Sequence, residues 1–115
     1  MSEVEALAAE LLVIPKGQAL SKKYIAEIEN DDDLALTASV ISFVYDRGSS
    51  KYGPLAHFLM LYDLTKYVRE KCQDISDEKE RANLLEYVTE GEEELKCIVN
   101  NTNERESILY QAYQP

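Results

Sequence analysis

The sequence predicts an all-α protein, a single compact bundle of five to six helices spanning residues 1–115. Three observations carry that expectation. Glycine and proline are scarce, 4 and 3 in 115 residues, so turns are few. Apolar residues recur at i, i+3 and i+4 along most of the chain, and no stretch sustains a period of two. Polar capping residues or a proline precede most of the apolar runs, as helix starts require. At 45% hydrophobic and 30% charged, the composition is that of a folded chain, and 115 residues suffice for one core rather than two.

The first helix opens at Ser2-Glu3-Val4-Glu5, where a serine followed three residues later by a glutamate forms a capping box. Val4, Leu7, Ala8, Leu11 and Leu12 give its apolar face, and Pro15 and Gly17 are expected to end it. The second helix is read at "SKKYIAEIEN", residues 21–30, with Ser21 as cap and Tyr24, Ile25 and Ile28 turned inward. Asn30 and Asp31-Asp32-Asp33 break it.

The same aspartates start a third helix, since negative charge suits the free amides of a helix N-terminus. Leu34, Leu36, Val40, Ile41, Phe43 and Val44 carry it to about Asp46, with Gly48 expected in the left-handed position beyond its end. Gly53-Pro54 starts the fourth helix, proline favouring the first helical position. Its "LAHFLMLY", residues 55–62, is apolar almost all round and is expected at the buried centre.

Ser76-Asp77-Glu78 caps the fifth helix, with Ala82, Leu84, Leu85, Val88, Leu95, Ile98 and Val99 as core candidates. Gly91 is expected to bend or split it, because glycine costs about 1 kcal/mol in a helix interior. Thr102 is expected to cap a short last helix bearing Ile108, Leu109, Tyr110 and Tyr113.

The net charge of −10, from 22 acidic and 12 basic residues, argues against nucleic acid as a partner and favours a basic one. The charge is uneven. Residues 47–73 hold five basic against two acidic side chains, a net +3, whereas residues 74–106 hold four against eleven, a net −7. The longest nearly apolar run, residues 55–62, is far short of a membrane span. The N-terminus carries acidic residues where a secretory leader carries basic ones. The expectation is a cytoplasmic protein with no membrane partner and with Cys72 and Cys97 reduced.

Enzymatic constellations are thin. The one histidine, His57, excludes a two-histidine metal site and sits in the most apolar run, which favours a neutral core residue. "GSSKYG", residues 48–53, lacks the phosphate-loop order. No cofactor, metal ligand or catalytic residue is assigned, and a non-enzyme is expected. One enzymatic alternative rests on Glu86, Glu90 and Glu93, which share a helix face. Their spacing is similar to that of helical nucleotide pyrophosphatases, which bind Mg²⁺ with such carboxylates on facing helices and hydrolyse their substrate. No second helix here offers an acidic pair.

A second alternative is DNA reading by residues 21–30. "EALAAELLV" followed by "SKKYIAEIEN" resembles the two-helix layout of phage-repressor-type helix-turn-helix proteins, which implies a DNA-binding regulator presenting Lys22, Lys23 and Tyr24. Seven residues separate Val13 from Ser21, where the motif uses about three or four.

The favoured reading is a small acidic regulator or inhibitor that binds another protein. It is similar in size and charge to nuclease-immunity proteins and to phage or mobile-element accessory proteins. Two surfaces are candidates for partner binding. Tyr45, Arg47, Lys51 and Tyr52 cluster in "YDRGSSKYGP", residues 45–54, read as a connector between apolar helices; tyrosine and arginine are over-represented among interface hot spots. Glu86, Glu90, Glu93 and Glu94 form an acidic face suited to a basic partner. A homodimer is also compatible with so short and apolar a bundle.

Overall fold

The computed structural model describes residues 2–115, apart from the side chains of residues 48–50. Six α-helices are present among the described residues: α1 (Glu3–Leu12), α2 (Pro15–Glu29), α3 (Leu34–Tyr52), α4 (Pro54–Cys72), α5 (Glu78–Asn100) and α6 (Thr102–Tyr113). No strand occurs among those residues. The all-α bundle expected from the hydrophobic period is the architecture found.

α4 is the axis of the fold. Leu55, Phe58, Leu59, Leu61, Leu64 and Val68 are all buried, and α2, α3, α5 and α6 pack around it. One continuous apolar core joins residues of all six helices, from Leu7 of α1 to Ala112 of α6. Burying each large aliphatic or aromatic side chain contributes about 1.5–3 kcal/mol, so the helix with the most buried positions dominates the stability.

Local capping chemistry fixes most helix starts. Ser2 Oγ accepts from the Glu5 amide at 3.1 Å, Asp33 Oδ1 from the Leu36 amide at 3.2 Å, and Asp77 Oδ1 from the Lys79 amide at 2.9 Å. Pro54 takes the first turn of α4. The α6 cap is Asn101, whose Oδ1 accepts from the Glu104 amide at 3.1 Å, and not Thr102, which is already helical.

Four expectations are corrected. Pro15 does not end a helix; it opens α2 after the two-residue link Val13-Ile14. Gly17 lies within α2 where that helix crosses α1, and a Cβ there would strike the Leu11 carbonyl. α3 does not stop near Asp46. It runs on to Tyr52, and Gly53, at φ 86°, makes the left-handed turn that glycine alone adopts readily. Gly91 neither bends nor splits α5, which is continuous from Glu78 to Asn100. It sits buried where α5 crosses α4 and α3, so a Cβ would clash with Thr65 Cγ2 and lie 2.9 Å from Ile41 Cγ2.

The core face of α3 follows Thr37, Ala38, Ile41 and Val44. Leu36 and Phe43, seven residues apart and so on one side, are left exposed. Ile25 of α2 is also exposed, with Ile28 buried and Tyr24 half-buried.

α6 locks onto the α4 end of the bundle through polar contacts. Gln111 Oε1 accepts from the Leu55 amide at 2.9 Å, satisfying a free donor of the first α4 turn. Lys16 Nζ donates to the Gln111 carbonyl at 3.0 Å, and Tyr113 hydroxyl to Glu10 at 3.2 Å.

Candidate functional site

The docking of α6 creates a cleft of about 360 Å³ at the junction of α3, α4, α5 and α6. Tyr45 and Asp46 come from α3, Pro54 and His57 from α4, Glu94 and Ile98 from α5, and Asn103, Glu104, Ser107 and Ile108 from α6. Helical spacing explains the α5 and α6 contributions. Ile98 and Ile108 anchor their helices in the core, and Glu94 and Glu104 each stand four residues earlier on the same side.

Among the described residues, the carboxylates Asp46, Glu94 and Glu104 are the charged side chains on this wall, and no lysine or arginine lines it. Burial raises the Glu94 carboxyl above the ordinary glutamate value, and the nearby negative charge of Glu104 adds to the rise. The cleft therefore gathers three carboxylates, of which Asp46 and Glu104 are exposed and Glu94 is half-buried, and a cation beside a half-buried carboxylate is worth more than on an open surface.

His57 lies at the base of the cleft. It is 6% exposed, and burial lowers its pKa, opposed by a hydrogen bond to the Val44 backbone and by the charge of Glu104. Among the described residues its buried Nε2 has no hydrogen-bond partner. The core histidine expected from the sequence is thus buried but not fully satisfied.

Of the expected partner-binding residues, the fold brings Tyr45 and Glu94 together at this cleft. Glu86 and Glu93 are exposed on α5 outside it. Glu90 is half-buried and accepts a 2.7 Å hydrogen bond from the Ser42 hydroxyl, joining α5 to α3. The segment 45–54 is not a connector loop; through Tyr52 it is helix, because α3 persists past Gly48. Arg47 is exposed on that last stretch. Lys51 and Tyr52 form a separate cluster with Phe43, the Lys51 ammonium standing 5.5 Å from the Phe43 ring centre and 5.4 Å from that of Tyr52. The side chains of Ser49 and Ser50 lie outside the described residues.

The alternative groupings are not assembled as expected. Among the described residues no three His, Cys, Asp or Glu side chains converge to hold a metal ion, so Glu86, Glu90 and Glu93 form no such cluster. Residues 21–30 do not begin a helix. They follow the first six residues of α2, Pro15 to Leu20, and Ser21, instead of capping, is buried with its hydroxyl on Asp63. Among the described residues no helix is long and apolar enough to cross a membrane.

Asp46, His57, Glu104 and Ser107 were not singled out by sequence as a group. His57 and Glu104 are 47 positions apart in the chain, and only the tertiary packing of α6 on α4 brings them to one cleft. No family model matches the chain, and no match was found among curated proteins or solved structures.

Proposed function

We propose that this protein is a small, acidic, non-enzymatic regulator or inhibitor that acts by binding another protein through a basic surface of that partner. The supporting observation is that Asp46, Glu94 and Glu104 line one cleft in which, among the described residues, no lysine or arginine takes part, with the 43%-exposed Tyr45 beside them. Such a site attracts a basic surface at long range and gives it a shaped place to dock. Tyr45 adds amphipathic contact area of the kind that dominates interface energetics.

The test is capture of the natural partner by the tagged protein, compared between the wild type, Glu94→Lys/Glu104→Lys, and a control pair, Glu70→Lys/Asp74→Lys. The control charges lie near the far end of α4, roughly 24 Å away at about 1.5 Å per helical residue. A basic partner retained by wild type and control but lost by the cleft variant supports the reading. Equal retention by both variants removes the cleft from it.

A further inference from the structure

α3 leaves one side uncovered. Leu36 and Phe43 are 57% and 41% exposed, and Val40 between them is half-buried. With Arg47 they follow i, i+4, i+7 and i+11, the spacing that puts side chains in one seam along a helix. Large apolar side chains exposed in a row mark a contact surface. Val40 also lines a groove of about 180 Å³ between α2, α3 and α4, with Tyr24, Met60 and Leu64 and the carboxylates of Glu27 and Asp31. Tyr45, two positions from Phe43, falls on the opposite side of α3, so the acidic cleft and this seam are separate surfaces.

The seam is oppositely charged at its two ends. Asp31, Asp32 and Asp33 stand at its start, and Arg47 and Lys51 at its end. Lys51 lies against the seam itself, its ammonium 5.5 Å from the Phe43 ring centre, and among the described residues it pairs with no carboxylate. A partner helix carrying charge of one sign would be repelled at one end. A second α3 laid antiparallel meets opposite charge at both ends, because a two-fold axis sets each residue against another of the same patch.

We propose that this face of α3 is the contact between two copies of the chain, packed antiparallel about a two-fold axis between Ile41 and Ser42. In that register Val40 of each copy faces Phe43 of the other, Leu36 faces Arg47, and Asp32 comes level with Lys51. Phe43 then enters the groove beside Val40, and the aliphatic stem of Arg47 covers Leu36. Lys51 crosses the seam to the aspartates, as flanking charges do in paired helices. One turn of slip would still bring Leu36 against Phe43 but would carry Lys51 beyond the aspartates. The contact goes beyond the protein-binding reading and does not depend on it, since both acidic clefts remain outside the seam.

The test is sedimentation equilibrium of the full chain under reducing conditions, so that the exposed Cys97 forms no cross-link. The mass should rise with concentration from 13.1 kDa toward twice that value, with a dissociation constant on the order of 10–100 µM, as suits a small seam. Phe43→Gln should weaken association at least about tenfold, as removal of a central aromatic anchor does. Asp32→Lys and Lys51→Glu should each weaken it about fivefold or more, by setting like charges against one another. An equimolar mixture of those two variants should regain wild-type affinity, because each then meets opposite charge at both ends of the seam.

The wild-type mass needs no variant to fold, and two misfolded variants would not restore each other. A chain still monomeric at about 500 µM overturns the contact and leaves the seam to a different protein. Self-association unchanged by Phe43→Gln overturns this face as its site. A mixture that associates no more tightly than either charge variant alone overturns the antiparallel register.

Discussion

The Ser21 hydroxyl donates a 2.9 Å hydrogen bond to Asp63 Oδ2 in the buried contact between α2 and α4. Asp63 is 6% exposed, and burial raises its carboxyl from 3.8 to about 6, with the Ser21 bond and the Lys66 charge working the other way. Because the folded value lies above the unfolded one, the folded state binds more protons between them. The stability that protonated Asp63 contributes is complete below about pH 4 and is lost as pH rises through about 6, a loss of about 3 kcal/mol at neutral pH. Asp63→Asn keeps the shape and removes the titration. Urea midpoints measured from pH 4 to 8 should show the variant gaining on the wild type as pH rises, and taking this difference cancels the opposite trend contributed by His57. A difference flat with pH contradicts the assignment.

Gly91→Ala should destabilise, although alanine is the better helix former by about 1 kcal/mol. The new methyl meets Thr65 and Ile41 at the closest crossing of α5 with α4 and α3. Overpacking of this kind costs about 1–3 kcal/mol. Thermal unfolding should show the loss, and Thr65→Ser, which removes the obstructing methyl, should return part of it in the double variant. A stabilised single variant contradicts the packing.

Gln111→Ala should loosen α6 as well as lower stability. It removes the acceptor for the Leu55 amide at the start of α4, a bond worth about 1 kcal/mol. Hydrogen exchange should speed at the Leu55 amide and across residues 102–113, while the α1–α5 contact stays protected. Uniform exchange acceleration over the whole chain would show instead that α6 does not open as a local unit.

The Arg69–Glu92 pair, though two-pronged at 2.9 and 2.6 Å, should matter little. Its side chains are 49% and 38% exposed, and such pairs contribute under about 1 kcal/mol. Arg69→Met should shift the denaturation midpoint only slightly, and raising the salt should not widen the gap. A loss of several kcal/mol would mean the pair holds α4 to α5.

What the sequence made legible is what local chemistry controls. Ser2, Asp33 and Asp77 cap where their spacing says they should, and Pro54 opens α4, because a cap involves only its own few residues. Pro15 has two local meanings, stop or start, and the α1–α2 packing at Gly17 decides between them. Ser21 resembles a cap but serves Asp63, forty-two residues away. Gly91 resembles a break but is a contact surface, a distinction that depends on where α3 and α4 lie. The candidate site was half legible for the same reason. Tyr45 and Glu94 stand out by residue type, whereas His57 and Glu104 acquire meaning only once α6 closes the cleft.

The most direct test of binding at the cleft is amide chemical-shift mapping at low salt with a short arginine-rich peptide as probe. Binding at the cleft predicts shifts centred on Tyr45, Asp46, Glu94, Glu104 and Ser107, and their collapse in Glu94→Lys/Glu104→Lys. Shifts spread evenly over the acidic residues 74–93, or unchanged by that variant, would contradict it.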